Sequence, residues 1–142
     1  MGSNAVRRVA IPALGAVLGL VLAACTSNGK NDEVNPNIFP TNYKQEILDT
    51  MTHILADPTN VRDAFISEPA LTTVSKEQRY AACVRSNSRD GSLRYIGSAD
   101  RIAYFFGGHL NQLIEATPEQ CAKAPYKPFP ELEKLCLAKK CA

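Results

Sequence analysis

The sequence contains no tryptophan and only two histidines, His53 and His109. Without Trp the core must be modest, and there is little sign of the cleft that paired glycosidic carboxylates need. No C-x-x-C is present, so thioredoxin-like dithiol chemistry lacks its motif. No G-x-S-x-G elbow, H-E-x-x-H, Walker loop or G-x-G-x-x-G occurs, which removes the sequence grounds for the chemistries those motifs carry. Charge of one sign is scarce as well, the formal net charge being +2. The longest uncharged apolar run, residues 9–24 (VAIPALGAVLGLVLAA), falls short of the roughly 20 residues that cross a bilayer as a helix.

That run has its own logic. It follows a basic head ending in Arg7-Arg8 and closes on small residues, the pattern of a secretory signal. Its end, Leu22-Ala23-Ala24-Cys25, resembles the lipobox of bacterial prolipoproteins. The resemblance implies that the Cys25 thiol receives a diacylglycerol, that cleavage removes residues 1–24, and that the new amine takes a further acyl chain such as palmitate. Acyl chains contribute about 0.8 kcal/mol per buried CH₂, so two or more anchor a protein that never crosses the membrane. Met1-Gly2 is not a myristoylation signal, because Val6 stands where Ser or Thr is needed. Thr26 follows the cysteine. In enterobacterial lipoproteins aspartate there retains cargo at the inner membrane, so the resemblance implies a periplasm-facing protein of the outer membrane.

Without Arg7 and Arg8 the cations equal the fourteen acids. A neutral mature chain argues against a nucleic-acid partner, which calls for net positive charge. Residues 25–40 comprise the lipidated cysteine and TSNGKNDEVNPNIFP, a polar stretch with the composition of a flexible linker. A single small globular domain is expected over residues 41–142.

Within it, Tyr43, Ile47, Met51, Ile54 and Leu55 recur at steps of three and four, predicting a helix over 42–56 that stops before Pro58. Strands are expected at 61–67, 79–87, 101–106 and 110–116, with 93–96 extending the pairing. The turn cluster 88–92 joins the second strand to that extension, and Gly97 to Asp100 reads as a break. Gly107-Gly108 predicts a tight hairpin, since both glycines accept positive φ. A helix from Leu110 competes with the last strand. Leu132, Leu135 and Cys136 at helical spacing, with acids leading and lysines trailing, predict a short terminal helix over 131–140. The fold class is α+β: an N-terminal helix packed on a small antiparallel β-meander, with a short C-terminal helix and disulfide staples.

Cys83, Cys121, Cys136 and Cys141 are the disulfide candidates, since four cysteines in a small exported domain point to two bridges. Cys121–Cys136 with Cys83–Cys141 is the preferred pairing, with Cys83 to Cys121 or to Cys136 left open. The cysteines do not form two close pairs, so no metal site is expected, and no cofactor.

Arg79, Arg85, Arg89, Arg94 and Arg101 gather in the sheet region among Tyr80, Tyr95 and Tyr104. Arg79 and Arg85 share parity along one strand and therefore a face. With Arg101 they are the candidates for binding an anion such as a lipid phosphate or a peptidoglycan carboxylate. The blander alternative is a solvated face paired with Asp63, Asp90 and Asp100. His109, on the hairpin, would act as a catalytic base only within reach of a Ser or Asp; His53 is expected half-buried beside the helix stripe.

YAACVRSNSRD, YFFGGHLNQLIEA and YKPFPELEKLC are similar to segments of small uncharacterised envelope lipoproteins of proteobacteria. That resemblance implies no activity. The expectation is a non-enzymatic, membrane-anchored envelope lipoprotein with a structural or interaction role, its partners the membrane and an envelope protein or peptidoglycan. The alternative is a small-ligand or anion-binding module using the arginine-rich sheet face.

Overall fold

The computed structural model describes residues 34–135. The signal, the lipobox with Cys25, and both Cys136 and Cys141 lie outside the described residues. What is described is a mixed α/β body built on a six-stranded, antiparallel sheet.

The chain enters through helix α1 (Tyr43–Ile54), which buries Ile47 and Met51 completely. Strands β1 (Asp57–Ile66), β2 (Ala70–Val74), β3 (Glu77–Arg89), β4 (Tyr95–Phe106) and β5 (His109–Glu115) follow. The sheet order is β5-β4-β3-β1-β6, where β6 is the two-residue strand Lys127–Pro128. β2 also pairs with β3, beside its N-terminal half. Thus β1 and β2 occupy the same side of β3 in succession. At the kink between them Ser67 Oγ accepts the Cys83 N–H at 2.8 Å, and the Ser67 N–H donates to the Cys83 carbonyl at 2.9 Å. Pro69 lacks a donor and opens β2 without disturbing the ladder.

Register sorts the side chains into two faces. On one face Ala82 and Val84 of β3 lie with Ala103 and Phe105 of β4, and with Val61, Ala64 and Ile66 of β1, in a single core with Ile47 and Met51. On the other, Ala81, Cys83 and Ile102 pack with Cys121. Residues 116–126 cover this second face and include the one-turn helix α2 (Pro118–Cys121), whose capping box pairs Thr117 with Gln120. The chain then passes around the β1 edge as β6 and reaches the first face in the one-turn helix α3 (Pro130–Glu133), placing Phe129 and Leu132 wholly inside the core. The Phe129 N–H donates to the Ala64 carbonyl at 2.8 Å, and Glu133 accepts the Ala64 N–H at 3.0 Å.

Several expectations change. β1 starts at Asp57, directly after the helix, and accommodates extra residues through Asn60 and Asp63 at positive φ. Gly97 to Asp100 does not break the pairing: β4 runs unbroken through it. An extra residue on β4 is absorbed between Asn87 and Arg89 of β3, where Gly97 takes φ +94° and its N–H donates to Asn87 Oδ1 at 3.1 Å. The turn that precedes it lies at Asp90–Arg94, later than the expected cluster, with Leu93 at φ +62°. The Gly107-Gly108 hairpin forms as expected, with φ of +59° and +85°, and residue 110 continues as strand rather than helix. The terminal helix is one turn at 130–133, not a run from 131 to 140; Lys134 and Leu135 are outside it, and residues beyond lie outside the described part. Residues 36–40, expected as tether, already contact the body. Pro40 is fully buried, Phe39 packs edge-on against Tyr80, and the Gly107 N–H donates to the Pro36 carbonyl at 3.1 Å.

Candidate functional site

Cys83 sits mid-strand on the second face, where strand alternation aims it away from Val84 and the main core. Cys121 ends α2 directly above it, and the two form a disulfide with Cα atoms 5.9 Å apart. The preferred pairing of Cys121 with Cys136 and Cys83 with Cys141 is therefore overturned, and the open alternative Cys83–Cys121 is the bridge present. The physical reason is that residues 116–126 fold back across the sheet, bringing Cys121 over β3 instead of leaving it in the tail. Beside the bridge is a shallow groove of about 620 Å³, lined by Ala70, Leu71, Ala81, Cys83, Ile102 and residues 119–120 and 122–125.

Further along the same face is a closed polar cluster. Arg85 donates through Nε and Nη2 to both oxygens of Asp100, at 2.7 and 2.8 Å, across the β3–β4 register. The guanidinium stacks on Tyr126 at 4.6 Å, and the Tyr126 hydroxyl donates to Asp100 at 2.9 Å. The bidentate bond from Arg85, helped by Tyr126, holds the Asp100 carboxyl below its ordinary value against the opposing effect of burial. The same bond pushes Arg85 up, and burial with the bond to Asp100 pushes the Tyr126 phenol up. A second cluster lies near the start of β1. Asp57 accepts from the Thr59 hydroxyl and N–H and from Arg89. The Thr59 hydroxyl is the main influence holding its carboxyl low, with the Thr59 N–H and Arg89 adding to it against burial.

The three anion-binding candidates are not brought together. Arg79 and Arg85 do share a face, but Ala81 and Cys83 intervene, and six residue steps along the strand set them about 20 Å apart. Arg79 pairs with Glu77 and lies over the Phe106 ring at 5.0 Å. Arg101 stands opposite Val84, so it occupies the other face, across from Glu115. Asp100 is the acid expected near these arginines; Asp90 pairs with Arg94, a contact at the exposed turn. His109 meets neither Ser nor Asp; its Nδ1 lies 3.0 Å from Glu46, whose other oxygen accepts the Leu110 N–H and ties α1 to β5. His53 is exposed on α1, not half-buried, and its ring nitrogen contacts the Asp49 carbonyl.

Sequence reasoning missed Tyr126, Asp57 and Glu46 as organising groups. Asp57-Pro58-Thr59 carried a usable signal, since an Asp followed two residues on by a backbone donor is an Asx turn. Among the described residues no group of three or more His, Cys, Asp or Glu is placed to hold a metal ion, and no helix is long and apolar enough to cross a membrane.

The end of the sheet where the chain enters has a different character. Val34 and Ile38 lie over the Gly107-Gly108 turn, so close that a Cβ on Gly107 would meet Val34 Cγ1 at 2.8 Å. With Phe106 and Arg79 this segment borders an open groove of about 850 Å³. No family model matches the chain, and no curated protein or solved structure matches it.

Proposed function

We propose that the protein is a lipid-anchored envelope lipoprotein, held through Cys25 at the periplasmic face of the outer membrane, with a structural or interaction role. In this reading α1 and the disulfide-tied C-terminal segment brace opposite faces of a small sheet that is displayed to an envelope protein or to peptidoglycan. The observation that carries the reading is the Cys83–Cys121 bridge. Such bridges persist in oxidising compartments such as the periplasm and are rare in the cytosol, in keeping with an exported chain whose leader ends in Leu22-Ala23-Ala24-Cys25. The polar clusters fit a structural role: the guanidinium of Arg85 is already engaged by Asp100, and an added anion would have to displace that carboxylate.

Metabolic labelling with palmitate tests the anchor. Wild type should take up label and float with membranes, and Cys25→Ala should lose both. Label retained in the variant, or a mature chain that still begins at Met1, refutes the reading. Crosslinking in intact envelopes followed by capture of the tagged protein then identifies the partner.

A further inference from the structure

We infer that the entry end of the sheet, formed by Val34, Ile38, Phe39 and Phe106, rests on the bilayer surface. The inference builds on the anchor proposed above. These four side chains are 58, 46, 46 and 40 % exposed, although all are large and apolar. They form a neighbourhood rather than a scatter. Val34 lies against Gly107 and Ile38 against Gly108, while Phe39 packs on Tyr80 and Phe106 borders the same groove as Val34. Apolar side chains grouped at one end of a domain mark a surface that is covered in use.

The occupant follows from chain length. Val34 is the ninth residue after Cys25. Nine residue steps reach no more than about 32 Å even when fully extended. Acyl chains on Cys25 therefore bring the membrane to this end first. The opposite end is out of reach: β4 starts beside the Asp90–Arg94 turn and runs about 36 Å of strand, from Tyr95 to Phe106, before it arrives at the patch. Leu93 and Ile96 are also exposed, but they lie at that far end. The charged residues lining the groove beside the patch are Glu77 and Arg79, which pair with each other, so contact is driven by apolar side chains and needs no anionic lipid. The β3–β4 turn then projects away from the bilayer.

The absence of Trp makes the test direct. Phe106→Trp and Leu93→Trp each install a single reporter in the full-length, lipidated protein, reconstituted in phosphatidylcholine vesicles whose acyl chains are brominated near the headgroup. Quenching should remove about half of the Phe106→Trp emission, as for a side chain 5–10 Å into the interface, and leave Leu93→Trp unchanged. Ile38→Trp supplies the same reading if Phe106→Trp does not fold. Protein that floats with the vesicles but shows equal quenching at both ends, or none at the entry end, overturns the orientation and leaves the anchor standing. Protein that fails to float overturns the anchor, and the orientation with it.

Discussion

Replacing Cys83 and Cys121 together by alanine should cost the domain about 4 kcal/mol. The bridge spans 38 residues, and the chain-entropy relation for a loop of that length gives about 13 cal/mol/K, or about 4 kcal/mol at 25 °C. Both sulfurs are buried on the second face, and alanine avoids adding an unpaired hydroxyl there. Changing both positions also prevents a leftover thiol from pairing with Cys136 or Cys141. For a domain of this size the loss corresponds to a fall of roughly 15–30 °C in Tm. Urea titration followed by circular dichroism measures it directly. The midpoint should drop and the m value should rise, because the unbridged denatured chain exposes more surface. Wild type treated with reductant should move the same way. A loss below about 1 kcal/mol with an unchanged m value would refute the view that residues 116–126 depend on the crosslink to stay on the sheet.

Other outcomes follow from the same geometry. Asp57 and Asp100 both have lowered carboxyl pKa values. Their stabilisation is therefore complete above the unfolded-chain value near 4 and is lost as the pH falls through their lower folded values. Acid titration should show stability declining below about pH 4, and Asp57→Asn with Asp100→Asn should flatten that decline while lowering stability at pH 7. Gly107→Ala should cost more than about 1 kcal/mol in thermal melts, since φ is +59° and the new Cβ meets Val34; a neutral result would show that residues 34–40 do not clamp the hairpin. Arg85→Ala and Arg101→Ala should be additive within about 0.5 kcal/mol, because the side chains sit on opposite faces; stronger coupling in a double-mutant cycle would reinstate a shared arginine site.

Much of the sheet was legible because its strands announce themselves locally. The Gly107-Gly108 hairpin and the apolar runs of β3 and β4 carry their own signals. β2 does not: Ala70-Leu71-Thr72-Thr73-Val74 follows a proline, and four of its five residues are exposed, so no alternation betrays it. β4 looked broken because Gly97 and the polar residues after it resemble a loop. Only the Asn87 side chain, supplied by the neighbouring strand, turns that glycine into a bulge. The arginines show the same division. Parity places Arg79 and Arg85 on one face, but where Arg101 falls relative to them depends on the β3–β4 register, which is set by long-range pairing. The bridge was unreadable for a similar reason, since cysteine spacing says nothing about a segment folding back over the sheet.

The passage of the chain around the β1 edge bears on when this domain finishes folding. Phe129 and Leu132 fill the same interior as Ile47, more than eighty residues earlier. A nascent chain still lacking that last stretch has a helix and most of its strands, yet a hollow where two large side chains belong. Contacts this distant in sequence close slowly. For the export proposed above, a polypeptide that stays loosely packed until that stretch arrives suits transport through a narrow channel, with consolidation following on the far side.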